Sequence, residues 1–267
     1  MGECLKVLFV GDIYGKPGRR AASELIPRLM DDHGVDFCVV NGENAAGGFG
    51  ITEKIGKKLH AYGADVITMG DHVWDQKDSL GYIMGGDRIL RPANFPESVG
   101  GIGSGVFPAR NGISVGVISL MGRTYMKKIL DCPFRVAQEA VAALRQETPV
   151  IVIDFHAEAT SEKIAFGWYM DGKVSAVLGT HTHVQTADEH VLPGGTAYMT
   201  DAGMTGPHDS AIGAKKEAAI RYFVSQLPVR FEPAAGDIKL CGALIEIDEA
   251  TGNALKIERV RVDLEGV

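Results

Sequence analysis

The sequence predicts a layered α/β fold with a mixed β-sheet flanked by helices. Three observations carry this. Strand-length apolar runs alternate with helical patterns through the first seventy residues. An Asn-Gly turn joins two further runs near residue 112, and the C-terminal third has an antiparallel pattern. In order, Leu5–Val10 predicts a buried strand, and Gly18–Met30 a helix with Ala22, Leu25, Ile26 and Leu29 on one face. Phe37–Val40 is a second strand, Thr52–Ala61 a helix capped by Thr52, and Val66–Met69 a third strand. Gly103–Pro108 and Ile113–Leu120 flank the Asn-Gly turn. They are followed by a helix near Pro133–Gln146, a strand Val150–Asp154, a helix Ser161–Met170 and a strand Val174–Leu178. Ala197–Thr200, Leu240–Ile247 and Leu255–Asp263 complete the pattern. With no linker, charge block or repeat, residues 1–267 read as one domain.

Composition narrows the function. Hydrophobic residues make up 45% of the chain and charged ones 23%, enough for a large core. The net charge of -7, spread along the chain, argues against an extended nucleic-acid footprint, so any phosphate must be held locally. Cys4, Cys38, Cys132 and Cys241 form no CxxC pair, which points away from a zinc knuckle or disulfide framework and towards a reducing cytoplasm. The N-terminal apolar run is too short for a signal peptide. Lys6 stands where a myristoylation signal needs Ser or Thr, and no stretch approaches a membrane span.

Ligands gather at the carboxyl ends of strands in open α/β sheets, so the residues found there matter. The ends read Gly11-Asp12, Asn41-Gly-Glu43-Asn44, Gly70-Asp71-His72, Asp154-Phe-His156 and, in GTHTH, His181-Thr-His183. All five carry metal-ligand residue types. Each alone has a plainer reading: Asp12 as a turn former, Glu43-Asn44 as a solvated loop, His156 as a hydrogen-bonded core histidine. The HxH pair is stronger, because side chains two apart in an extended segment share a face and the two imidazoles would converge. Gly11–Pro17 lacks the GK[ST] of a phosphate loop, Gly101–Gly105 opens no helix, and no GxSxG occurs at a strand-to-helix turn. His33, His60 and His190 read as solvated or strand-end residues, and Arg19 and Arg20 stay unassigned. His208, in a Gly/Pro-rich loop, either lines a substrate pocket or is a loop residue.

The set Asp12, Glu43-Asn44, Gly70-x-His72, His156 and His181-x-His183 resembles the calcineurin-like metallophosphoesterases. The stretches GDIYGKPGR, NGENAAGGFGIT, DFHAEATSEK, GTHTHVQTAD and DAGMTGP are similar to the YmdB family of bacterial phosphodiesterases over nearly the whole chain. The resemblance implies a layered sandwich of mixed sheets and a dinuclear site. Asp12, Asn44 and His183 would hold one ion, Asp71, His156 and His181 the other, with Glu43 between them. Tyr14 stands where most relatives of the wider group have a histidine ligand, a gap that Asn44 fills. The implied cofactors are two iron or manganese ions (Fe2+/Fe3+ or Mn2+), with Zn2+ or Mg2+ as alternatives. The implied reaction is attack of a metal-bridging hydroxide on a small phosphodiester such as a 2',3'-cyclic nucleotide. His72 would protonate or orient the leaving group, or else hydrogen-bond a ligand carboxylate. A homo-oligomer is also implied. The alternatives are a phosphomonoesterase of the nucleotidase kind and a metal-stabilised regulatory nucleotide-binding protein with little turnover.

One departure bears on the chemistry. The family motif has Asn at position 71, and this chain has Asp71. Two divalent ions against Asp12, Glu43 and hydroxide leave one positive charge, which an ionised Asp71 cancels. Less positive metals polarise phosphate and water less, so the expectation is a slower enzyme or a preference for a trivalent ion.

Overall fold

The computed structural model describes residues 4–264. Strand β1 (Cys4–Val10) shows how one chain segment serves two cores. Leu5, Val7 and Phe9 pack into one apolar cluster, and Leu8 and Val10 into another, as the two-residue period of a strand requires. Both faces are covered, so every residue from Val7 to Val10 is buried.

The remaining elements are α1 (Gly15–His33), β2 (Phe37–Asn41), α2 (Glu53–Ala61), β3 (Val66–Thr68), α3 (Leu80–Gly85), β4 (Ile89–Leu90), β5 (Ser104–Pro108) and β6 (Ser114–Met121). They continue as α4 (Pro133–Leu144), β7 (Ile151–His156), α5 (Thr160–Met170), β8 (Ala176–Thr180), β9 (His190–Val191), β10 (Ala197–Met199), β11 (Gly206–Pro207), α6 (Lys216–Ser225), β12 (Ile238–Asp248) and β13 (Ala254–Asp263). The first sheet runs β11-β12-β1-β2-β3-β4 with β13 on β12, and the second runs β5-β6-β7-β8-β10-β9. Both are mixed. The pairs β1–β2–β3–β4 and β6–β7–β8–β10 are parallel, while β12 and β5 run antiparallel to β1 and β6.

The sheets face each other across a core that joins Val7, Phe9, Val39 and Ile245 of the first to Val117, Val152 and Leu178 of the second. On the outer face of the first sheet, Leu25, Ile26 and Leu29 of α1 and Leu59 of α2 cover Leu8, Val40 and Ile67. On the outer face of the second, α4 and α5 supply Val141, Leu144, Phe166 and Met170. The result is a four-layer α/β/β/α sandwich. Full burial of each such side chain contributes roughly 1.5–3 kcal/mol, so the layers are held mainly by apolar area.

Local signals explain the boundaries. Thr52 Oγ1 accepts from the Ile55 backbone N–H and caps α2, as the sequence predicts. Helix α1 begins earlier than predicted, at Gly15, because Pro17 sits in its first turn where no intrahelical donor is lost. It ends at Gly34, whose φ of 62° is the left-handed conformation that glycine favours. The Asn-Gly turn closes the β5–β6 hairpin through the Ala109 N–H to the Ile113 carbonyl. Strands β7 and β8 run two residues further than predicted, to His156 and Thr180. Two-residue strands β4, β9 and β11 and helices α3 and α6 carry no periodicity that singles them out. Among the described residues, no helix is long and apolar enough to cross a membrane.

Candidate metal centre

The carboxyl ends of β1, β2 and β3 in one sheet meet those of β7 and β8 in the other. Polar ties hold the two ends together. The buried Asp154 carboxylate of β7 accepts from Asn41 Nδ2 of β2 (2.9 Å), Thr68 Oγ1 of β3 (2.5 Å) and Thr180 Oγ1 of β8 (2.6 Å). Burial pushes its carboxyl up to about 6, even though His156 and the two threonine hydroxyls pull it down. Asp12 follows β1, Glu43 and Asn44 follow β2, Asp71 follows β3, His156 ends β7, and His181 and His183 follow β8.

Glu43, Asp71, His156 and His181 form one group whose potential ligand atoms all lie within 4.8 Å of one another, a cluster that could bind a metal ion. His156 Nε2 lies 3.1 Å from Glu43 Oε1, 3.4 Å from Asp71 Oδ1 and 3.0 Å from His181 Nδ1. Beside it, His183 Nε2 is 3.1 Å from Asn44 Oδ1 and 3.9 Å from Asp12 Oδ1. The structure thus brings together all seven residues that the sequence singles out as ligands.

Each imidazole is turned by a partner on its far side. His156 Nδ1–H donates to Thr180 Oγ1, which itself donates to Asp154. His181 Nε2–H donates to Glu158 Oε2 at 3.1 Å, and His183 Nδ1–H to the Ile212 carbonyl at 2.9 Å. The opposite nitrogens face the carboxylates and the Asn44 oxygen, the side on which metal-ligating histidines offer their lone pairs. Asn44 Nδ2 donates to the Gly48 carbonyl, which aims its Oδ1 at His183. With its Nδ1 side on the Ile212 carbonyl, His183 and the Asn44 oxygen 3.1 Å away would offer their lone pairs to one cation.

Two further observations fit a metal. Asp12 Oδ1 and Glu43 Oε2 are buried and have no hydrogen-bond partner, a state that costs about 1–3 kcal/mol or more per group unless something neutralises it. The electrostatics also show excess negative charge. Burial alone would lower His156, yet Glu43, Asp71 and Asp12 raise it well above the ordinary histidine range. Asp71 is raised by burial but held far below the carboxylate range by His156, so it is ionised. Burial, with His156 beside it, brings His181 down to about 3 and leaves it a neutral donor. At Gly70 any Cβ would fall 2.0 Å from Glu43 Oε2 and 2.4 Å from His156 Nε2, so the cluster closes only around glycine.

The HxH pair does not converge on one point as its spacing suggests: His181 joins Glu43, Asp71 and His156, and His183 lies beside Asn44 and Asp12. The segment is not extended: His181 has φ 101° and His183 φ 65°. Left-handed backbone at both histidines sends them to different ends of the cluster. Thr182 between them is pinned by the buried Asp201, whose Oδ2 accepts from both Thr182 N–H and Oγ1 and pairs with the buried Lys163 at 2.6 Å.

His72 sits at the rim. Its Nδ1 lies 2.7 Å from Asp75 Oδ2, its Nε2 lies 4.0 Å from Asp71 Oδ1, and its ring packs edge-on against Phe49. A cavity of about 400 Å3 opens here, lined by Glu43, Asn44, His72, His181, His183 and Tyr14 among others. Tyr14 lies edge-on to His183 with its phenol buried, and that burial raises its pKa. His208 does not line this cavity. Its Nε2 is 3.1 Å from the Met204 carbonyl, and it lines a neighbouring cleft that shares His183 and Ile212 with this cavity. Arg19 is spent on the Ala45 carbonyl and Arg20 on Glu24. The sequence assigns no role to Glu158, two residues past His156, or to the supports Asp154, Thr180, Lys163 and Asp201, although all five lie in the stretches that carry the family resemblance.

The family described as YmdB-like protein matches residues 8–260. The 2',3'-cyclic-nucleotide 2'-phosphodiesterase of Bacillus subtilis is 51% identical over 97% of this chain and 97% of its own length. The crystal structure of a novel phosphatase from Mycoplasma pneumoniae superposes with a TM-score of 0.92 at 35% identity, covering 98% of this chain and 95% of that one. A Thermus thermophilus structure described as a hypothetical protein gives 0.90 at 35% identity, covering 97% and 99%. With the match to the family spanning all the strand ends that meet at the cluster, the chain belongs to the YmdB-like protein family.

Proposed function

We propose that this chain is a metal-dependent phosphodiesterase that opens the ring of 2',3'-cyclic nucleotides. The observation that carries the reading is the buried, acceptor-rich cluster with uncompensated oxygens on Asp12 and Glu43, facing a cavity with His72 at its rim. The name of the half-identical Bacillus subtilis relative supports the substrate class. Two ions, iron or manganese, fit the donor set: Asp71, His156 and His181 would hold one, Asp12, Asn44 and His183 the other, and Glu43 both. When bound, such ions supply an acidified water and neutralise charge on the phosphoryl oxygens.

The protein's own groups do the rest. Glu158, Thr180 and the Ile212 carbonyl fix the imidazole orientations, so the ligand set is organised before substrate arrives. Water oxygen forms a bond to phosphorus as the bond from phosphorus to O2' breaks. His72, held through Nδ1 by Asp75, gives its Nε2 proton to O2' and regains a proton from the consumed water. The product is a 3'-phosphomonoester.

The test is turnover with Mn2+ or Fe2+ on adenosine 2',3'-cyclic phosphate, bis(p-nitrophenyl) phosphate and p-nitrophenyl phosphate, with His156→Ala as the blank. Cleavage of both diesters and not the monoester, lost in the blank, is the expected result. Cleavage of the monoester alone points to a phosphomonoesterase, and bound metal without turnover to a regulatory binding protein; either overturns the reading.

A further inference from the structure

The cavity at the metal cluster has a second end of opposite chemistry. Beyond His183 the chain bridges Ala211 to Ala214 and Ala214 to Pro233, and Lys215 N–H donates to the Glu232 carbonyl. Residues 216–231 therefore form an excursion whose two ends are tied together, with α6 on it. That helix packs into no apolar cluster, and Ala219 is its single buried residue. Its aromatic residues instead line the cavity: Tyr222, Phe223 and, from the returning segment, Phe231, with rings edge-on at 5.4 and 5.8 Å. They are 37%, 72% and 39% exposed, so their rings present an apolar surface to the cavity. Ile212 joins the two ends, since it lines the same cavity and its carbonyl holds His183.

A cavity of about 400 Å3 with a charged, acceptor-rich end and an aromatic end fits a ligand with one phosphate and one flat apolar ring, and it falls within the roughly 300–1,000 Å3 of small-molecule sites. A plain dialkyl phosphate gives the aromatic end nothing to hold. A nucleobase offers a π-face, and stacking on aromatic side chains discriminates weakly among bases because every base has one. Apart from the Tyr222 hydroxyl, the three rings present no polar atom that could read a base edge.

We propose that Tyr222, Phe223 and Phe231 form the platform on which the base of a nucleoside phosphodiester stacks while its phosphate lies against the metal cluster. The proposal rests on the phosphodiesterase reading above and adds its specificity determinant: the enzyme selects diesters that carry a base and is tolerant of which base they carry. The platform acts on binding, so it moves KM more than kcat.

The test compares kcat/KM for adenosine 2',3'-cyclic phosphate with that for methyl riboside 2',3'-cyclic phosphate, which lacks the base. It uses the metal-loaded native protein, Phe223→Ala, the Phe223→Ala/Phe231→Ala double variant, and Phe223→Trp. The native protein is expected to prefer the base-bearing substrate by about tenfold or more, the magnitude of one good stacking contact. The preference falls towards one in the double variant, through KM, and is kept by Phe223→Trp. Val224→Ala, an exposed neighbour on α6 that does not line the cavity, keeps it too. Equal rates on both substrates in the native protein, or an undiminished preference in the double variant, overturn the platform. If the native protein turns over neither diester, the phosphodiesterase reading fails by itself. Calorimetric binding of adenosine 3'-monophosphate against inorganic phosphate then decides the platform: a tenfold preference lost in the double variant supports it, and no preference overturns it.

Discussion

At position 71 a carboxylate stands where the resemblance implies an amide, and although burial opposes its charge, His156, with His72 and Glu43, keeps it ionised. An added negative charge within reach of the metals should cost turnover. Asp71→Asn is expected to raise kcat/KM with Mn2+ about tenfold, equivalent to ~1.4 kcal/mol of barrier, or to shift the preferred ion away from Fe3+. Equal activity with unchanged metal preference in the variant removes this role. At the cavity rim His72 has a different job, and its test is chemical. With His72 as the proposed proton donor to the leaving oxygen, His72→Ala should lower kcat by about 10²–10⁴ on a 2',3'-cyclic nucleotide, whose leaving alkoxide needs a proton. The loss should be far smaller on bis(p-nitrophenyl) phosphate, whose leaving phenolate needs none. Equal losses on both substrates, or loss of bound metal, make His72 a structural residue.

At the scale of elements, the five strand ends act as one scaffold, and their registry depends on side chains away from the metals. Lys163 of α5 and Asp201 form a buried pair that clamps Thr182 and holds left-handed backbone at His181 and His183. Lys163→Met leaves Asp201 charged and unpaired in the interior. The expected cost is about 3 kcal/mol or more in denaturant unfolding, with weakened metal affinity. A Lys163→Met/Asp201→Leu protein should recover much of the stability, as apolar replacements of buried pairs do, but not the metal affinity, since Thr182 stays unclamped. Recovery of both contradicts the clamp. These supports mark where the sequence stopped being legible. Asp12, Glu43, Asn44, Asp71, His156, His181 and His183 stand out because a metal needs those residue types and strand ends are recognisable from apolar runs. Lys163 and Asp201 lie in stretches that carry the family resemblance, but nothing in them marks the two as partners, and only the folded chain makes them neighbours. The geometry of GTHTH was hidden for a similar reason: spacing of two implies a shared face only in extended backbone, and tertiary hydrogen bonds decided otherwise. Helix α6 escaped notice because Ile220, Phe223 and Val224 face solvent or cavity and make no stripe toward a core. The β5–β6 hairpin and the Thr52 cap were readable because their signals are local.

For the whole molecule, the two sheets share an apolar core along their length but meet through charge at one end. Asp12, Glu43, Asn44 and Asp71 come from the first sheet, and His156, His181 and His183 from the second. A bound metal would therefore tie the layers together where the buried carboxylates repel. Chelation is expected to lower Tm by several degrees, since a ligand at about 100 times its Kd adds roughly 2.7 kcal/mol of stability. A Tm indifferent to chelator contradicts a centre that bridges the sheets. The account as a whole stands on those ions working in hydrolysis, and titration of metal-free protein with Mn2+ while following cleavage of adenosine 2',3'-cyclic phosphate tests this most directly. The account predicts no turnover before metal is added and activity that levels off at two equivalents per chain. Full activity in the metal-free protein, or saturation at a single equivalent, would contradict it.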